Sequence, residues 1–535
     1  MQKMFMAIII IALSQISFAD TKIKRSILKS GREIGLSWNF KKSDISIVKS
    51  NLESPFLFKD VSIKHWQKAK TSGAPALPFK SFLLIGTPEE IDIVLDAKIV
   101  SFIEDLIPSP AQEMPCRCEI IPWKFSADYN EDKYNKDSLS HFKKEYLGEF
   151  KGKSITKVTV YPIAYNHAQG ARLITNAKLS IKSNNRKLEF FKIKASDKNY
   201  NIFSHRKFEA VLAPLIDIRK KQGFNVNFFA LDEVGNDFID IKEFIHTLYE
   251  NEPFSYSLII GHEEEFPTEY VMTKFDTRTP SDMNYYTMDG EDDVIPDVLY
   301  GRLSVSTPDE LKVVIDKTIE FEKRSWRSPA GMSEMIAIAS DEGSAPDDVE
   351  YVREMQSPLK SKFNWNSNEF FQANENGTAE NISSRINAGS IWLNYIGHGT
   401  GHEWPSVYGR EFNVSDIVND EEGVVRPVVI DVACQNGRFS NEGRMGETFM
   451  RGGVHKGGAV AYYGGSVDIS WDPPAIMAIG INKAVSENNQ RRLADVIFEG
   501  QSYLLENMDD IDSALENLVW YHLQGDPLLN LQNLK

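Results

Sequence analysis

The 535-residue sequence predicts an α/β fold with a mostly parallel sheet flanked by helices, preceded by a mainly β N-terminal region. Short apolar runs, such as Ile391–Ile396 and Val428–Ala433, end abruptly at a glycine or a cysteine, as buried strands of a covered parallel sheet do. Helical patterns separate several of these runs, which indicates βαβ units. Before about residue 195, alternation such as Lys178–Lys182 predicts strands with one buried face instead.

The chain begins with a predicted secretion signal, Met1–Ala19. Lys3 supplies the positive end, Met4 to Leu13 an apolar core, and Ala19 the small residue at the cleavage site. The apolar run is too short to span a membrane, and no later stretch is long enough. We therefore expect a mature chain without a membrane span that is secreted, periplasmic or held at the cell surface.

Composition narrows the function classes. The length suits two or three domains, and the apolar and charged fractions of 42% and 25% are ordinary for globular proteins. A formal charge of −16 argues against nucleic acid as a partner, because such binding depends on clustered Lys and Arg. The acidic balance fits cationic substrates or calcium, and it equally fits a solvated acidic surface.

The chain has three cysteines, Cys116, Cys118 and Cys434, which is too few for a disulfide scaffold. Cys116 and Cys118 are too close in sequence for an ordinary structural cross-link. We interpret them as free or locally oxidised thiols without function. Metal binding with outside ligands and contact with another chain are the alternatives.

Reactive side chains follow two of the predicted strands. His398 lies just beyond Ile391–Ile396, and Cys434 ends Val428–Ala433. Because ligands and chemistry collect at the carboxyl ends of parallel strands, both side chains are expected at one edge of the sheet. A histidine there can take the thiol proton and later protonate a leaving amine. Backbone N–H groups of Gly399 and Cys434 would form the oxyanion hole. The alternative is a small apolar cysteine in the core.

The segments around these residues resemble the catalytic core of the gingipain (C25) family of cysteine peptidases. The matching blocks are Asn394–Gly399, Asp431–Gly437, Asp297–Ser304, Gly458–Tyr463, Ser470–Trp471 and Gly525–Pro527. The resemblance runs from about Asn201 to the C-terminus, in the family's order. It implies a caspase-like fold, with a first catalytic subdomain at residues 200–345 and a second at 346–535.

The resemblance also implies roles for individual residues. Cys434 would be the nucleophile, His398 the general base and acid, and Asp297 the acidic residue that supports the histidine. Trp471 would form a wall of the primary specificity pocket. Asp468, in the same loop, is a candidate negative floor for a Lys or Arg side chain, and an ordinary loop aspartate is the alternative.

A metal role is suggested by acidic residues before the Asp297–Ser304 segment. Asp289, Asp292 and Asp293 offer oxygen ligands at short spacing, which suits Ca²⁺, and gingipain-like enzymes bind calcium. The spacing does not match an EF-hand loop, so an acidic turn is the alternative. No cofactor is expected for the chemistry itself. His402 lacks the HExxH helix that a zinc site of that type needs.

The N-terminal region, residues 20–195, resembles the gingipain prodomain at Gly73–Pro78 and Val160–Asn166. The resemblance implies that this region inhibits its own catalytic domain. In gingipains a basic prodomain residue can occupy the active site, and Arg117 is the candidate here. An independent adhesion or carbohydrate-binding domain is the alternative.

Together these observations predict a secreted cysteine endopeptidase made as a zymogen, which cleaves proteins or peptides through an acyl-enzyme, with basic P1 residues as candidates. One alternative is a transpeptidase that passes the acyl group to an amine. Another is a binding or assembly factor on the same fold without catalysis.

Overall fold

The computed structural model describes residues 24–27, 31–119, 125–135, 140–183, 187–192, 198–290, 293–344, 346–418, 423–440, 442–452, 457–487, 492–532 and 534. The predicted signal Met1–Ala19 and most of the boundary near residue 195 lie outside these residues. Of the helices in the described part of the chain, none combines the length and apolar character that a membrane crossing requires.

In the described residues, the N-terminal region is built mainly from antiparallel β-strands with one short α-helix. The strands are β1 Lys24–Ile27, β2 Glu33–Asn39, β3 Ile45–Lys49, β4 Phe58–Ile63, β5 Gln67–Lys68, β6 Pro78–Ile85, β7 Asp92–Ile103, β8 Ile107–Pro108, β9 Phe142–Phe150, β10 Lys153–Val160, β11 Ile163–Asn166 and β12 Gly170–Lys182, and the helix is α1 Glu131–Asn135. They form three sheets, ordered β1-β2-β12-β11 with β7 on β12, β5-β6-β10-β9, and β3-β4-β8. Among these strands, only β4 and β8 pair in parallel.

Strand β12 shows why these sequences form half-buried strands. Leu179 and Ile181 are fully buried in the core of this region, whereas Lys178 and Lys182 are exposed. Successive side chains of a strand point to opposite faces, so the alternation fixes which face packs inward.

The described residues from 198 onward form one large sheet of ten strands and two ribbons of two strands each. The strands are β13 Asn199–Ser204, β14 Asn225–Ala230, β15 Tyr256–Ile260, β16 Glu269–Val271, β17 Thr279–Ser281, β18 Leu299–Leu303, β19 Glu334–Ala339, β20 Asn366–Phe371, β21 Trp392–Ile396, β22 Glu403–Trp404, β23 Phe412–Asn413, β24 Val428–Val432, β25 Ala461–Gly465 and β26 Tyr521–Gln524. The large sheet has the order β14-β13-β15-β18-β26-β25-β24-β21-β19-β20, and the ribbons are β16-β17 and β22-β23.

Helices pack around this sheet, and Pro214 and Pro358 lie inside two of them. The helices are α2 Glu209–Lys221, α3 Leu231–Val234, α4 Phe238–Asn251, α5 Pro308–Lys323, α6 Asp348–Phe363, α7 Ala379–Asn387, α8 Met445–Arg451, α9 Asp472–Glu487, α10 Leu493–Asn507 and α11 Ile511–Trp520. Helix α5 begins with a capping box, in which Glu310 N–H donates to the Thr307 hydroxyl at 3.2 Å. The apolar helical pattern that follows Ser204 predicts this residue as the N-cap of α2, but Ser204 is the last residue of β13.

All neighbouring strands of the large sheet run parallel except β25 and β26, which are antiparallel. The predicted class, a mostly parallel sheet flanked by helices behind a mainly β region, is confirmed. The inner strands β21, β24 and β25 are buried along their whole length, as apolar strands covered on both faces should be.

The N-terminal region packs against α10 and the turn after it. Asp509 accepts hydrogen bonds from the backbone N–H and the hydroxyl of Thr71, at 3.1 and 2.7 Å. The ammonium group of Lys157, on β10, donates to the backbone oxygen of Met508. Burial lowers the pKa of Lys157 to about 8, although nearby carboxylates, including Asp509, oppose the shift.

Candidate active site

His398 and Cys434 leave the sheet at the same edge. Strands β21 and β24 are adjacent and parallel, with Ile396 opposite Val432, and each reactive residue follows two positions later. The turns are in close contact: a Cβ on Gly399 would lie 2.4 Å from the backbone oxygen of Cys434. Because no side chain fits there, glycine at position 399 lets the two turns approach each other.

The turn that carries His398 is held by its neighbours. The hydroxyl of Tyr395 donates to the backbone oxygen of His398 at 2.6 Å, and the His398 N–H donates to the Ser406 hydroxyl at 2.9 Å. A Cβ on Gly397 would lie 2.6 Å from the Cβ of Ser406, so a side chain there would displace these contacts.

A buried polar network joins this turn to the one that carries Cys434. The amide of Asn436 donates to Asp431 at 3.1 Å and accepts from the Gly401 N–H at 2.8 Å. Gln435, directly after the cysteine, has a φ of +61°, a left-handed conformation that is uncommon outside glycine. Its N–H donates to the backbone oxygen of Val467 at 2.9 Å, which fixes this sharp turn.

The imidazole of His398 has a polar partner on each side. Both carboxylate oxygens of Glu342 lie 3.1 Å from Nε2, and the backbone oxygen of Arg117 lies within hydrogen-bonding distance of Nδ1. Burial lowers the pKa of His398, but the Glu342 carboxylate more than offsets this effect, so the net pKa is raised. Glu342 therefore stabilises the imidazolium form.

Asp297 does not support His398, contrary to the sequence-based expectation. It precedes β18, which lies four strand positions from β21, and at ~4.8 Å per strand this corresponds to about 19 Å. Its carboxylate instead accepts the backbone N–H of Lys151 and, at 3.0 Å, that of Met288. Glu342 takes the expected place because it follows β19, the strand next to β21.

The side chain of Arg117, from the N-terminal region, fills a closed pocket beside His398. Its guanidinium donates two hydrogen bonds to the Asp348 carboxylate, at 2.8 and 2.9 Å, and both side chains have no exposed surface. It also lies 4.3 Å from the ring centroid of Trp471 and donates to the Trp471 backbone oxygen at 3.0 Å. Trp471 therefore packs against the Arg117 side chain.

Asp348, rather than Asp468, is the acid in this pocket. It is the first residue of α6 and also accepts the hydroxyl of Ser340 at 2.7 Å. Asp468 instead accepts the side-chain amide of Gln435 at 2.8 Å, and one of its carboxylate oxygens lies within 4.8 Å of the Cys116 and Cys118 sulfur atoms. The prediction for Asp468 was wrong because a position in the loop does not reveal which way the carboxylate points.

The Cys434 side chain is fully buried. Its sulfur accepts the Ile469 N–H at 3.5 Å. Burial raises the pKa of Cys434 to about 12, so the thiol is neutral in this state. A disulfide joins Cys116 and Cys118, whose Cα atoms are 5.1 Å apart, within the usual range for such bonds.

Three carboxylates, including that of Asp297, lie close together away from His398. One carboxylate oxygen from each of Asp289, Asp293 and Asp297 falls within 4.8 Å of the others, while the third calcium candidate, Asp292, lies outside the described residues. Burial raises the pKa of Asp297 to about 7. Each of the three carboxylates already accepts a backbone N–H, so hydrogen bonds account for part of the cluster.

Comparison with known proteins assigns the chain to a family. The model of peptidase family C25 matches residues 193–532, which is more than half of the sequence. The chain belongs to peptidase family C25. It is a cysteine-type peptidase of the gingipain kind, as the sequence resemblance implied.

Known relatives match most of the chain in sequence or in fold. Gingipain R2 of Porphyromonas gingivalis is 22% identical over 551 residues, covering 93% of this chain and 72% of the relative. The crystal structure of the Arg-specific cysteine proteinase gingipain R shares the fold, with a TM-score of 0.56 and 23% identity over 63% of this chain and 79% of that one. The complex of the P. gingivalis RgpB pro- and mature domains has a TM-score of 0.55 and 23% identity, over 62% and 79% of the two chains.

Sequence reasoning missed Glu342 and Asp348. Glu342 lies three residues after the apolar strand β19, so the rule that chemistry collects at the carboxyl ends of strands could have identified it. Asp348 gave no such signal, because an acidic residue in the first turn of a helix is ordinary.

Proposed function

We propose that this peptidase is a zymogen that cleaves proteins after arginine, with Cys434 as nucleophile and His398 as general base and acid. The observation that carries the proposal is the placement of Arg117. A basic side chain of the N-terminal region forms a buried bidentate ion pair with Asp348, while its own carbonyl lies at His398. An arginine substrate would use the same pocket.

The chemistry follows from the groups at the edge of the sheet. The Cys434 thiol gives its proton to His398, and its sulfur attacks the carbonyl carbon of the bound arginine, forming a tetrahedral oxyanion. Collapse breaks the C–N bond, and the imidazolium protonates the departing amine. Water, deprotonated by His398, then hydrolyses the thioester. N–H groups of Gly399 and Cys434 are the proposed oxyanion donors, and Glu342 orients the imidazole.

Latency follows from the same contacts. Arg117 fills the pocket, its backbone oxygen forms a hydrogen bond with Nδ1 of His398, and Cys434 is fully buried. Removing the N-terminal region would expose the thiol and reverse the burial that raises its pKa. The N-terminal region is thus proposed as an intramolecular inhibitor, and Met1–Ala19 as its export signal. A structural Ca²⁺ at the Asp289–Asp297 segment remains a proposal.

The test uses processed enzyme and peptides that differ only at P1. Arginine peptides should be cleaved at that residue, alanine peptides should not, and Cys434→Ala should abolish turnover with an unchanged melting temperature. Undiminished cleavage by Cys434→Ala would reject the assignment. Added amines would divert product to a new amide if the chain were a transpeptidase, and slow labelling of Cys434 by iodoacetamide after processing would indicate a silent binding factor.

A further inference from the structure

The loop that carries Arg117 resembles a substrate on its N-terminal side only. Cys116 forms an isolated antiparallel bridge with Ser470, and the Arg117 N–H donates to the backbone oxygen of Ile469 at 2.9 Å. These are the contacts of an extended peptide laid against the wall of a site. A bound substrate with Arg117 at P1 would have Cys118 on the other side of the bond to be cut.

Beyond Arg117 the chain turns back instead of continuing. The Cys118 N–H lies 3.0 Å from the Cys116 sulfur, and the Glu119 N–H donates to the Cys116 backbone oxygen at 3.4 Å. The Cys116–Cys118 disulfide closes this turn covalently. The turn leaves the Arg117 carbonyl oxygen at Nδ1 of His398, and Nε2 is engaged by Glu342, so both ring nitrogens are occupied.

We propose that the Cys116–Cys118 disulfide keeps the Arg117–Cys118 peptide bond, which lies in the chain's own candidate active site, from being cleaved until the disulfide is reduced. This rests on the proposed function of Cys434 and His398. The disulfide joins Cys116, at P2, to Cys118, at P1′, and therefore spans the bond to be cut. It affects both how the bond approaches Cys434 and what happens to the product after cleavage.

The fate of the product follows from bond connectivity. Attack by Cys434 would join its sulfur to the Arg117 carbonyl carbon, break the bond to the Cys118 nitrogen, and place the imidazolium proton on that nitrogen. The new amine would remain tethered to the acyl group through the two sulfurs. Well-oriented intramolecular groups reach effective molarities of roughly 10⁵ M and above, so the amine returns to the thioester carbon before water does and restores the peptide and the thiol.

Reduction of the disulfide opens the turn at Arg117 and releases the tether that holds the new amine near the thioester. An external dithiol would transfer two electrons to the disulfide, giving the Cys116 and Cys118 thiols and the oxidised reagent. Cys118 is exposed while Cys116 is buried, so a reagent can approach the cross-link from the Cys118 side. The segment could then extend, and cleavage would release a free N-terminus at Cys118.

The experiment follows the intact mass of the full-length chain purified without reductant. Wild type should stay whole, and dithiothreitol should yield fragments ending at Arg117 and beginning at Cys118. The variant Cys116→Ser/Cys118→Ser should give the same fragments without reductant, about tenfold or more faster than unreduced wild type. This variant separates reduction of the lock from any effect of reductant on Cys434, which is then the only cysteine.

Two controls define the site. Adding Cys434→Ala to the double variant should leave the chain whole, and adding Arg117→Ala should remove cleavage at this position. If the double variant loses its cooperative melting transition, the milder Cys118→Ser, which alters only the exposed cysteine, takes its place in the comparison.

A folded variant that stays whole without reductant, while the externally processed enzyme cleaves arginine peptides, would overturn this inference and leave the proposed function standing. Absence of arginine cleavage in every processed sample would instead remove the proposed function. Cleavage that continues in the Cys434→Ala background would show a contaminating protease and would also overturn the inference.

Discussion

Asp348 offers a sharp test of specificity, because among the described residues it is the acid that hydrogen-bonds the guanidinium, while Asp472 contributes only a more distant charge. We predict that Asp348→Asn in the processed enzyme strongly weakens cleavage after arginine. The Arg117–Asp348 pair has no exposed side-chain surface, so a bound arginine would lose its buried counter-ion. Removing one partner of such a pair costs about 3–5 kcal/mol.

That energy corresponds to a loss in kcat/KM of roughly two to three and a half orders of magnitude, at ~1.4 kcal/mol per tenfold. The contact with Trp471 survives the substitution and keeps part of the binding, since cation–π contacts contribute about 0.5–2 kcal/mol. Asparagine retains the size of the side chain, so the change reports on charge and not on a cavity.

The assay compares two matched peptides, one with arginine at P1 and one with citrulline, its neutral isostere. Wild type should prefer arginine by roughly a hundredfold or more, and Asp348→Asn should bring the two substrates within about threefold. The matched control is Asp468→Asn, which should keep the wild-type preference because its carboxylate bonds to Gln435. An Asp348→Asn enzyme that still cleaves the arginine peptide within tenfold of wild type would refute this account of the pocket.

Three further outcomes follow from the structure. Glu342→Gln should lower kcat at least about tenfold, because an amide can stabilise the wrong imidazole tautomer, and NMR should show His398 titrating at lower pH than in wild type. Asp297→Asn should keep kcat within about threefold. If Asp297→Asn lowered kcat more than Glu342→Gln did, Asp297 would again be the supporting acid. Because Lys157 has a folded pKa of about 8 against 10.5 when exposed, the unfolded chain binds more protons between these values, so the free energy of unfolding rises with pH across that window. Lys157→Met should remove about 2 kcal/mol of that rise between pH 7.5 and 10, measured in paired urea titrations, and equal slopes for the two chains would contradict the shift.

The sequence alone predicted the class of fold, and it predicted that His398 and Cys434 lie at one edge of the sheet. Nearly continuous apolar runs such as Val428–Ala433, in which Asp431 is the one polar residue, are typical of strands covered on both faces in a parallel sheet flanked by helices. Once two such strands are neighbours, residues that follow them emerge at one edge, and His398 and Cys434 did so. These inferences succeed because the local pattern of apolar residues predicts which strands are buried on both faces, and strands buried in this way run parallel and end at the same edge of the sheet.

Only the tertiary structure decided which charged groups serve the site. Asp297, Glu342, Asp348 and Asp468 are all acids near strand or helix ends, and nothing local distinguishes them. Their roles depend on sheet order, which places β19 beside β21 and β18 four positions away, and on side-chain direction in loops. The same holds for Arg117: 231 residues separate it from Asp348 in the chain, and folding brings the two side chains into one closed pocket.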